Sequence, residues 1–356
     1  MVGSSLFRLL QSRGYKNILT RSHSELDLTR QKGVENFFKK EKPEYVFLAA
    51  AKVGGILANN TYKAEFIYDN IMIAVNIIHS TYKYGVKKLV NLGSSCIYPK
   101  FSPQPIKEEF LLTGELEPTN EPYAVAKISA LKLCRYYNEQ YGTNFISVMP
   151  TNLYGPDDNF NLETAHALPS LIRKFHLAKL LKNKDFEEIK KDFMRFPLGF
   201  KLGSREIIGN EQLIRNVLKK LGITKDYVVL WGTGETYREF LYVDDLADAC
   251  MFLMKNYNYE YIGECVNIGT GEDMKINDLA EVIRKVVGFD GEIKHDLSKP
   301  DGTPRKLLDV SKIREFGWEA KTILKEGIKK TYDWYCNTQK GVNPSNYMMS
   351  QWRNCT

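Results

Sequence analysis

Apolar runs of strand length alternate with long helical stretches through the first 150 residues, and this alternation limits the folds open to the chain. Glu44–Ala51 is a short apolar run, Phe66–Tyr84 is helical in pattern, Val86–Leu92 is a second apolar run, and Phe145–Met149 follows another helical stretch. Strands separated by helices of ten or more residues pair in parallel, with both faces of the sheet covered. The predicted class is α/β, a Rossmann-type doubly wound parallel sheet with a smaller α/β unit after it. Ligands of such sheets collect at the carboxyl ends of the strands. Glu44–Ala51 ends in Ala49–Ala50–Ala51, whose small side chains let a cofactor reach the backbone, so Ala50 and Ala51 are candidate cofactor contacts.

Val86–Leu92 ends in Gly93–Ser94–Ser95–Cys96, and some thirty residues later comes Asn120–Glu121–Pro122–Tyr123–Ala124–Val125–Ala126–Lys127. Proline suits the first turn of a helix, so a helix opens here with Tyr123 and Lys127 one turn apart on one face. A phenol titrates near ~10, and a nearby ammonium favours the phenolate, so Lys127 is expected to bring the Tyr123 phenol closer to neutrality. Ser94 or Ser95 would polarise a carbonyl from the other side. The set suits hydride transfer to a ketone, with Tyr123 supplying the proton. A Tyr and a Lys at this spacing usually form a solvated helix face. Here the serine strand end and the βαβ pattern ahead of it separate the pair from that ordinary case.

The 356 residues suffice for one large or two ordinary domains, and 43% hydrophobic with 26% charged residues is a soluble globular balance. No run of eighteen apolar residues and no signal peptide is present, so neither a membrane span nor a membrane partner is expected. The six cysteines are scattered, which favours free thiols in a reducing cytoplasm over disulfides or a metal site. A net charge of +7 suits an anionic ligand. Without an aromatic-interleaved basic block, a nucleotide or phosphate ester is favoured over nucleic acid.

Met1–Arg13 reads as an amphipathic helix stopped at Gly14, whereas a dinucleotide fold opens on a strand and a glycine-rich turn. Met1–Val2–Gly3–Ser4 looks like the tail of such a turn, with Gly3 as its last glycine. Lack of the central first strand is expected to leave unpaired edges inside the sheet and to remove the pyrophosphate cradle. On this reading residues upstream of Met1 are missing, and the chain as given binds cofactor weakly and is poorly stable. Asn17–Leu19 reads as the second strand. Arg21 and His23 follow it where the adenosine ribose of a dinucleotide would lie, and they suit the 2′-phosphate of NADP. The expected organisation is an NADP-binding domain over 1–160, without its first strand. A mainly substrate-binding domain follows over 161–337, with some strands and helices returning to the first sheet, and then a loose tail over 338–356. Asn152 lies in the turn-rich stretch Pro150–Pro156 over the carboxyl edge of the sheet and is a candidate cofactor contact. The loop Lys299–Lys306 is basic and turn-rich, so Lys299 and Arg305 are candidate phosphate contacts. The lysine-rich segment Lys179–Lys225 reads as helical with a break around Phe196–Ser204, solvated and without chemistry.

Five phrases carry a resemblance: Ala50–Ile56, Gly93–Pro99, Asn120–Tyr123, Met149–Pro156 and Lys299–Lys306. Together they resemble the GDP-L-fucose synthase family, extended short-chain dehydrogenase/reductases that epimerise GDP-4-keto-6-deoxymannose at C3 and C5 and reduce it at C4. The resemblance implies NADPH as cofactor, a GDP-sugar substrate and a cytoplasmic homodimer in contact through the helices at Phe66–Tyr84 and Tyr123–Tyr141. It places the acid/base pair of epimerisation on Cys96 and His166, and the hydride-transfer set on Ser94, Tyr123 and Lys127. It also places guanosine diphosphate contacts on Lys174, Trp231 and Arg238. Inverting a centre beside a ketone needs one group to remove a proton and another to return one on the opposite face, which a thiol and an imidazole can do. The alternatives are a C4-reductase acting on a related GDP-4-keto sugar such as a heptose, and a catalytically impaired nucleotide-sugar-binding homologue.

Overall fold

The structure is a computed structural model that describes residues 1–200, 202, 207–299 and 301–339. Its strands are, in chain order, β1 Tyr45–Leu48, β2 Lys88–Leu92, β3 Phe145–Pro150, β4 Asn152–Tyr154 and β5 Tyr227–Trp231, then β6 Tyr237–Tyr242, β7 Val266–Ile268, β8 Asp273–Lys275, β9 Glu292–Asp296 and β10 Arg305–Lys306. The main sheet is parallel throughout, in the order β1-β2-β3-β7, with Phe47 opposite Val90, Asn91 opposite Ser147 and Val148 opposite Val266.

Every residue of β2 and β3 is buried, as their continuous apolar runs require. Leu89 and Phe145 meet the helices Lys63–Lys83 and Glu121–Tyr141 on one face. Val90 and Ile146 meet the helices Val2–Ser12 and Val243–Asn256 on the other. Lys88 and Asn91 are the polar residues of β2, and Asn91 donates to the Ser147 hydroxyl at 3.1 Å; Lys88 opens the strand. Its Nζ donates to the carbonyls of Leu253, Met254 and Tyr257 at 2.9, 2.8 and 2.6 Å, closing the C-terminus of the second of those helices. The α/β doubly wound class read from the alternation is what the chain forms.

The N-terminal part departs from the expected pattern. Asn17–Leu19 forms no strand, and β1 pairs with β2 alone, its other edge facing a wide cleft. Four residues of strand sequence stay a strand in β1 because β2 supplies a ladder, whereas Asn17–Leu19 has no neighbouring strand to pair with. The helix Val2–Ser12 is held independently: Arg8 pairs with Asp157 and Asp244 at 2.9 and 3.1 Å, and Arg13 pairs with Asp248.

A second core, from Tyr154 to Tyr335, lies over the carboxyl end of the sheet. In it β6 pairs in parallel with β4 and β10 and antiparallel with β8, while β5 and β9 form a separate parallel pair. The lysine-rich segment is not simply solvated. In the amphipathic helices Phe186–Arg195 and Glu211–Lys220, Phe186, Ile189, Phe193, Ile214, Val217 and Leu218 are buried, and only the lysine faces meet water. Arg173 and Asp192 pair at 2.7 Å with neither side chain exposed, and Arg173 also donates to the carbonyls of Phe160, Phe196 and Pro197. Of the expected tail, Thr338 and Gln339 belong to the helix Leu324–Gln339, and 340–356 lie outside the described residues. Among the described residues no helix is long and apolar enough to cross a membrane.

Candidate active site

One cleft of about 2790 Å³ runs from Gly3, Arg21 and His23 past Ala50 and Ala51 to Tyr123 and Lys127, and on to His166, Lys174, Trp231 and Arg238. Its centre is the carboxyl end of β2. Gly93 follows that strand where a Cβ would lie 2.3 Å from the Met149 Sδ and 3.1 Å from the Val148 carbonyl, so the chain passes β3 closely there. Ser94 is extended and caps the short 3₁₀ turn Ser95–Ile97, its Oγ accepting from the Cys96 N–H at 3.2 Å. The same hydroxyl lies 3.0 Å from the Cys96 Sγ, and its effect on the Tyr123 phenol is to lower it.

Tyr123 and Lys127 stand on the helix Glu121–Tyr141, which has proline in its first turn and closes on left-handed Gly142. Lys127 Nζ donates to the Leu92 carbonyl at 2.6 Å and lies 5.7 Å from the centroid of the Tyr123 ring. Burial pushes the Lys127 ammonium down to about 8. The Tyr123 phenol is held above its ordinary value, by burial first and then by Cys96. This reverses the depression expected from the one-turn spacing, because enclosure outweighs an ammonium committed to a backbone carbonyl.

His166 is the N-cap residue of the helix Ala167–Lys182, and its imidazole faces the cleft. The side chain is exposed at the cleft, and desolvation by the cleft walls, then the Lys306 ammonium, hold it below its ordinary value. Ala50, Ala51, Asn152, Arg21 and His23 also line the cleft; Asn152 Nδ2 donates to the Glu239 carbonyl at 2.8 Å, and Arg21 pairs with Glu41 at 2.9 Å. At the other end of the cleft, Lys174 Nζ donates to the Val229 carbonyl at 3.2 Å and is pushed down to about 8 by burial. Trp231 is 54% exposed, leaving a ring free to stack, and burial holds the Arg238 guanidinium below its usual range.

Two expected phosphate contacts are placed elsewhere. The Arg305 guanidinium pairs with Asp273 at 2.6 Å and lies over the Tyr237 ring, because strand alternation turns it away from the cleft. Lys299 sits over the outer part of the site, 5.6 Å from the Trp231 ring, and does not line the cleft. Two other residues of the same loop reach the cleft. Lys306 lines the cleft, and Asp301 accepts from the Thr233 N–H at 2.9 Å, tying the basic loop to the turn after β5. Strand alternation would have found Lys306 had β10 been recognised. Among the described residues no cluster of His, Cys, Asp or Glu could hold a metal ion.

The family model described as "NAD dependent epimerase/dehydratase family" matches residues 1–193 and 207–269. The chain belongs to this family. It is 51% identical over 335 residues to GDP-L-fucose synthase 1 of Arabidopsis thaliana, covering 94% of this chain and 90% of the relative. Among solved structures it resembles a GDP-6-OMe-4-keto-L-xylo-heptose reductase of Campylobacter jejuni, with 41% identity, a TM-score of 0.87 and 95% of each chain covered. It also resembles a GDP-D-glycero-L-gluco-heptose synthase of the same organism solved in the presence of NADPH, with 40% identity, a TM-score of 0.80, and 94% and 95% of the two chains covered. The resemblance to GDP-L-fucose synthases read from the five phrases is borne out by the curated relative. For a member of the epimerase/dehydratase family, the residues present fit a dinucleotide. Small Ala50 and Ala51 floor the cleft, cationic Arg21 stands at one end, and the Ser94–Tyr123–Lys127 set stands at the other.

Proposed function

We propose that the chain catalyses the NADPH-dependent 3,5-epimerisation and 4-reduction of GDP-4-keto-6-deoxy-D-mannose to GDP-L-fucose. The observation that carries the reading is that Cys96 and His166 line the same cleft as Ser94, Tyr123 and Lys127. Three of these groups serve reduction and two serve proton exchange, and a simple reductase needs only the first three.

Cys96 removes the proton from the carbon beside the ketone and His166 returns one on the opposite face, while Ser94 and Tyr123 hold the ketone oxygen as it takes up enolate charge. Bound NADPH supplies the hydride for C4. Tyr123 gives its proton to the C4 oxygen, a role suited to a phenol kept protonated at neutral pH by its surroundings. Lys127 fixes Tyr123 and the end of β2 through the Leu92 carbonyl. Gly3, Arg21, His23, Ala50, Ala51 and Asn152 hold the cofactor, and Lys174, Trp231 and Arg238 hold the guanosine diphosphate. The expected homodimer would form through the helices Lys63–Lys83 and Glu121–Tyr141, where Tyr82 and Tyr141 are exposed and stacked at 4.3 Å. A cytoplasmic setting agrees with the free thiols.

The names of the heptose-acting structural relatives favour a second reading, C4 reduction alone on a related GDP-4-keto sugar. Cys96→Ala discriminates between the two. With NADPH and GDP-4-keto-6-deoxymannose, the first reading predicts a reduced sugar of unchanged C3 and C5 configuration. Under the second, the variant and the wild type give the same product.

A further inference from the structure

β10 pairs in parallel with β6, Lys306 opposite Arg238, and successive side chains on a strand leave it on opposite faces. Arg305 pairs with Asp273 and lines only the recess beside the cleft, whereas Lys306 turns into the cleft itself. There it joins Cys96, Glu117 and Asn120 around a recess of about 40 Å³, room for one or two ordered waters or a sugar hydroxyl. The Asn120 Oδ1 is buried without a hydrogen-bond donor, an acceptor open to such a group.

Lys88, Lys127 and Lys174 are enclosed lysines that each donate to a backbone carbonyl. The Lys306 ammonium has no hydrogen bond or ion pair among the described residues, so its charge is left for what enters the cleft. The charged and titratable groups around it are Cys96 and Tyr98 after β2, Lys100 paired with Glu117 at 2.9 Å ahead of the helix Glu121–Tyr141, Arg305 beside it on β10, Arg238 on β6, and His166 at the head of the helix Ala167–Lys182. Cys96 and Lys306 line this recess, which neither Tyr123 nor Lys127 reaches, and His166 lines the cleft into which it opens.

We infer that Lys306 is the electrostatic positioning residue of the proton-transfer half of the site, its ammonium facing Cys96 and His166 to serve epimerisation and not reduction. This inference rests on the proposed epimerase/reductase reading. In the step it serves, the Cys96 thiolate takes the proton from the carbon beside the ketone and the C–H electron pair becomes the enolate. The His166 imidazolium then returns a proton to that carbon from the other face. A fixed cation stabilises negative charge on the sulfur and makes an imidazolium give up its proton more readily. The lowered His166 imidazole agrees with the second effect.

The test uses Lys306→Met and Lys306→Arg in the full chain, with GDP-4-keto-6-deoxymannose in D₂O. Solvent deuterium uptake at C3 and C5 is read without NADPH, and C4 reduction is read with it. The expected result for Lys306→Met is a fall in deuterium uptake of about 10- to 100-fold, the scale of a lost preorganised electrostatic group, while C4 reduction is largely kept. Lys306→Arg recovers most of the uptake. In the protein alone, the His166 imidazole titration followed by NMR moves upward in Lys306→Met and stays in place in Lys306→Arg. Lys306→Gln replaces Lys306→Met if the latter does not fold. Equal losses of uptake and reduction with a raised KM would make Lys306 a diphosphate anchor and overturn the inference. Unchanged uptake, or an unmoved His166 titration, also overturns it. A wild type that takes up no deuterium overturns the epimerase reading itself.

Discussion

Arg173→Met gives the sharpest test of how the second core holds the cleft. Arg173 and Asp192 are both fully enclosed, and the guanidinium also closes the carbonyls of Phe160, Phe196 and Pro197. Methionine matches the arginine stem in volume, so the loss is electrostatic: the Asp192 carboxylate keeps its hydrogen bond from Tyr335 and loses the Arg173 ion pair. Removing one partner of a buried pair costs about 3–5 kcal/mol. Replacing both, as in Arg173→Met with Asp192→Leu, removes the buried carboxylate as well and is expected to recover most of that loss. Urea unfolding of the two variants and the wild type measures this directly, with the midpoint shift read at constant slope. Phe160, Phe196 and Pro197 line the cleft, so the single variant is also expected to raise KM for the GDP-sugar. A single variant within about 1 kcal/mol of wild type, or a double variant no more stable than the single, would refute the reasoning.

Tyr123→Phe should lower kcat for C4 reduction by about 10²- to 10⁴-fold, the usual contribution of a positioned acid, and lower deuterium uptake at C3 and C5 less, because Ser94 still holds the ketone oxygen. The Lys127 ammonium is lowered to about 8, so its proton is present below that value and lost as pH rises through it. The reduction rate should therefore fall above about pH 8, and Lys127→Met should abolish that limb of the pH profile. The same lowering means the unfolded chain binds more protons than the folded one between about 8 and the ordinary lysine value near 10.5. Lys127 therefore adds a rise of stability with pH across that window, checked as the difference from Lys127→Met in urea unfolding. Lys174→Met should raise KM for the GDP-sugar and leave kcat near wild type, because the lysine is assigned to the diphosphate and not to the reacting ring. Steady-state kinetics at saturating NADPH reads that split.

Most of the sheet was legible because β2 and β3 are buried on both faces and so read as short, mainly apolar runs between helical stretches. The YxxxK helix was legible because Pro122 marks its start and Gly142 its end. Asn17–Leu19 was misread because strand pattern is necessary but not sufficient, and no neighbour offers it a ladder. The Tyr123 titration was misread because spacing gives the proximity of Lys127 but not its enclosure or its bond to the Leu92 carbonyl. The exchange of Arg305 for Lys306 has the same origin: a two-residue strand leaves no alternation to read until its partner is known. The buried side of the lysine-rich segment was hidden by the charge of its outer side, although Phe186, Ile189 and Phe193 already mark a helical stripe.

Proton NMR of the product formed by the wild-type chain from GDP-4-keto-6-deoxymannose and NADPH in D₂O bears most directly on the central claim. The account predicts GDP-L-fucose carrying deuterium at both C3 and C5. A product reduced at C4 with its C3 and C5 protons and configuration unchanged would contradict it.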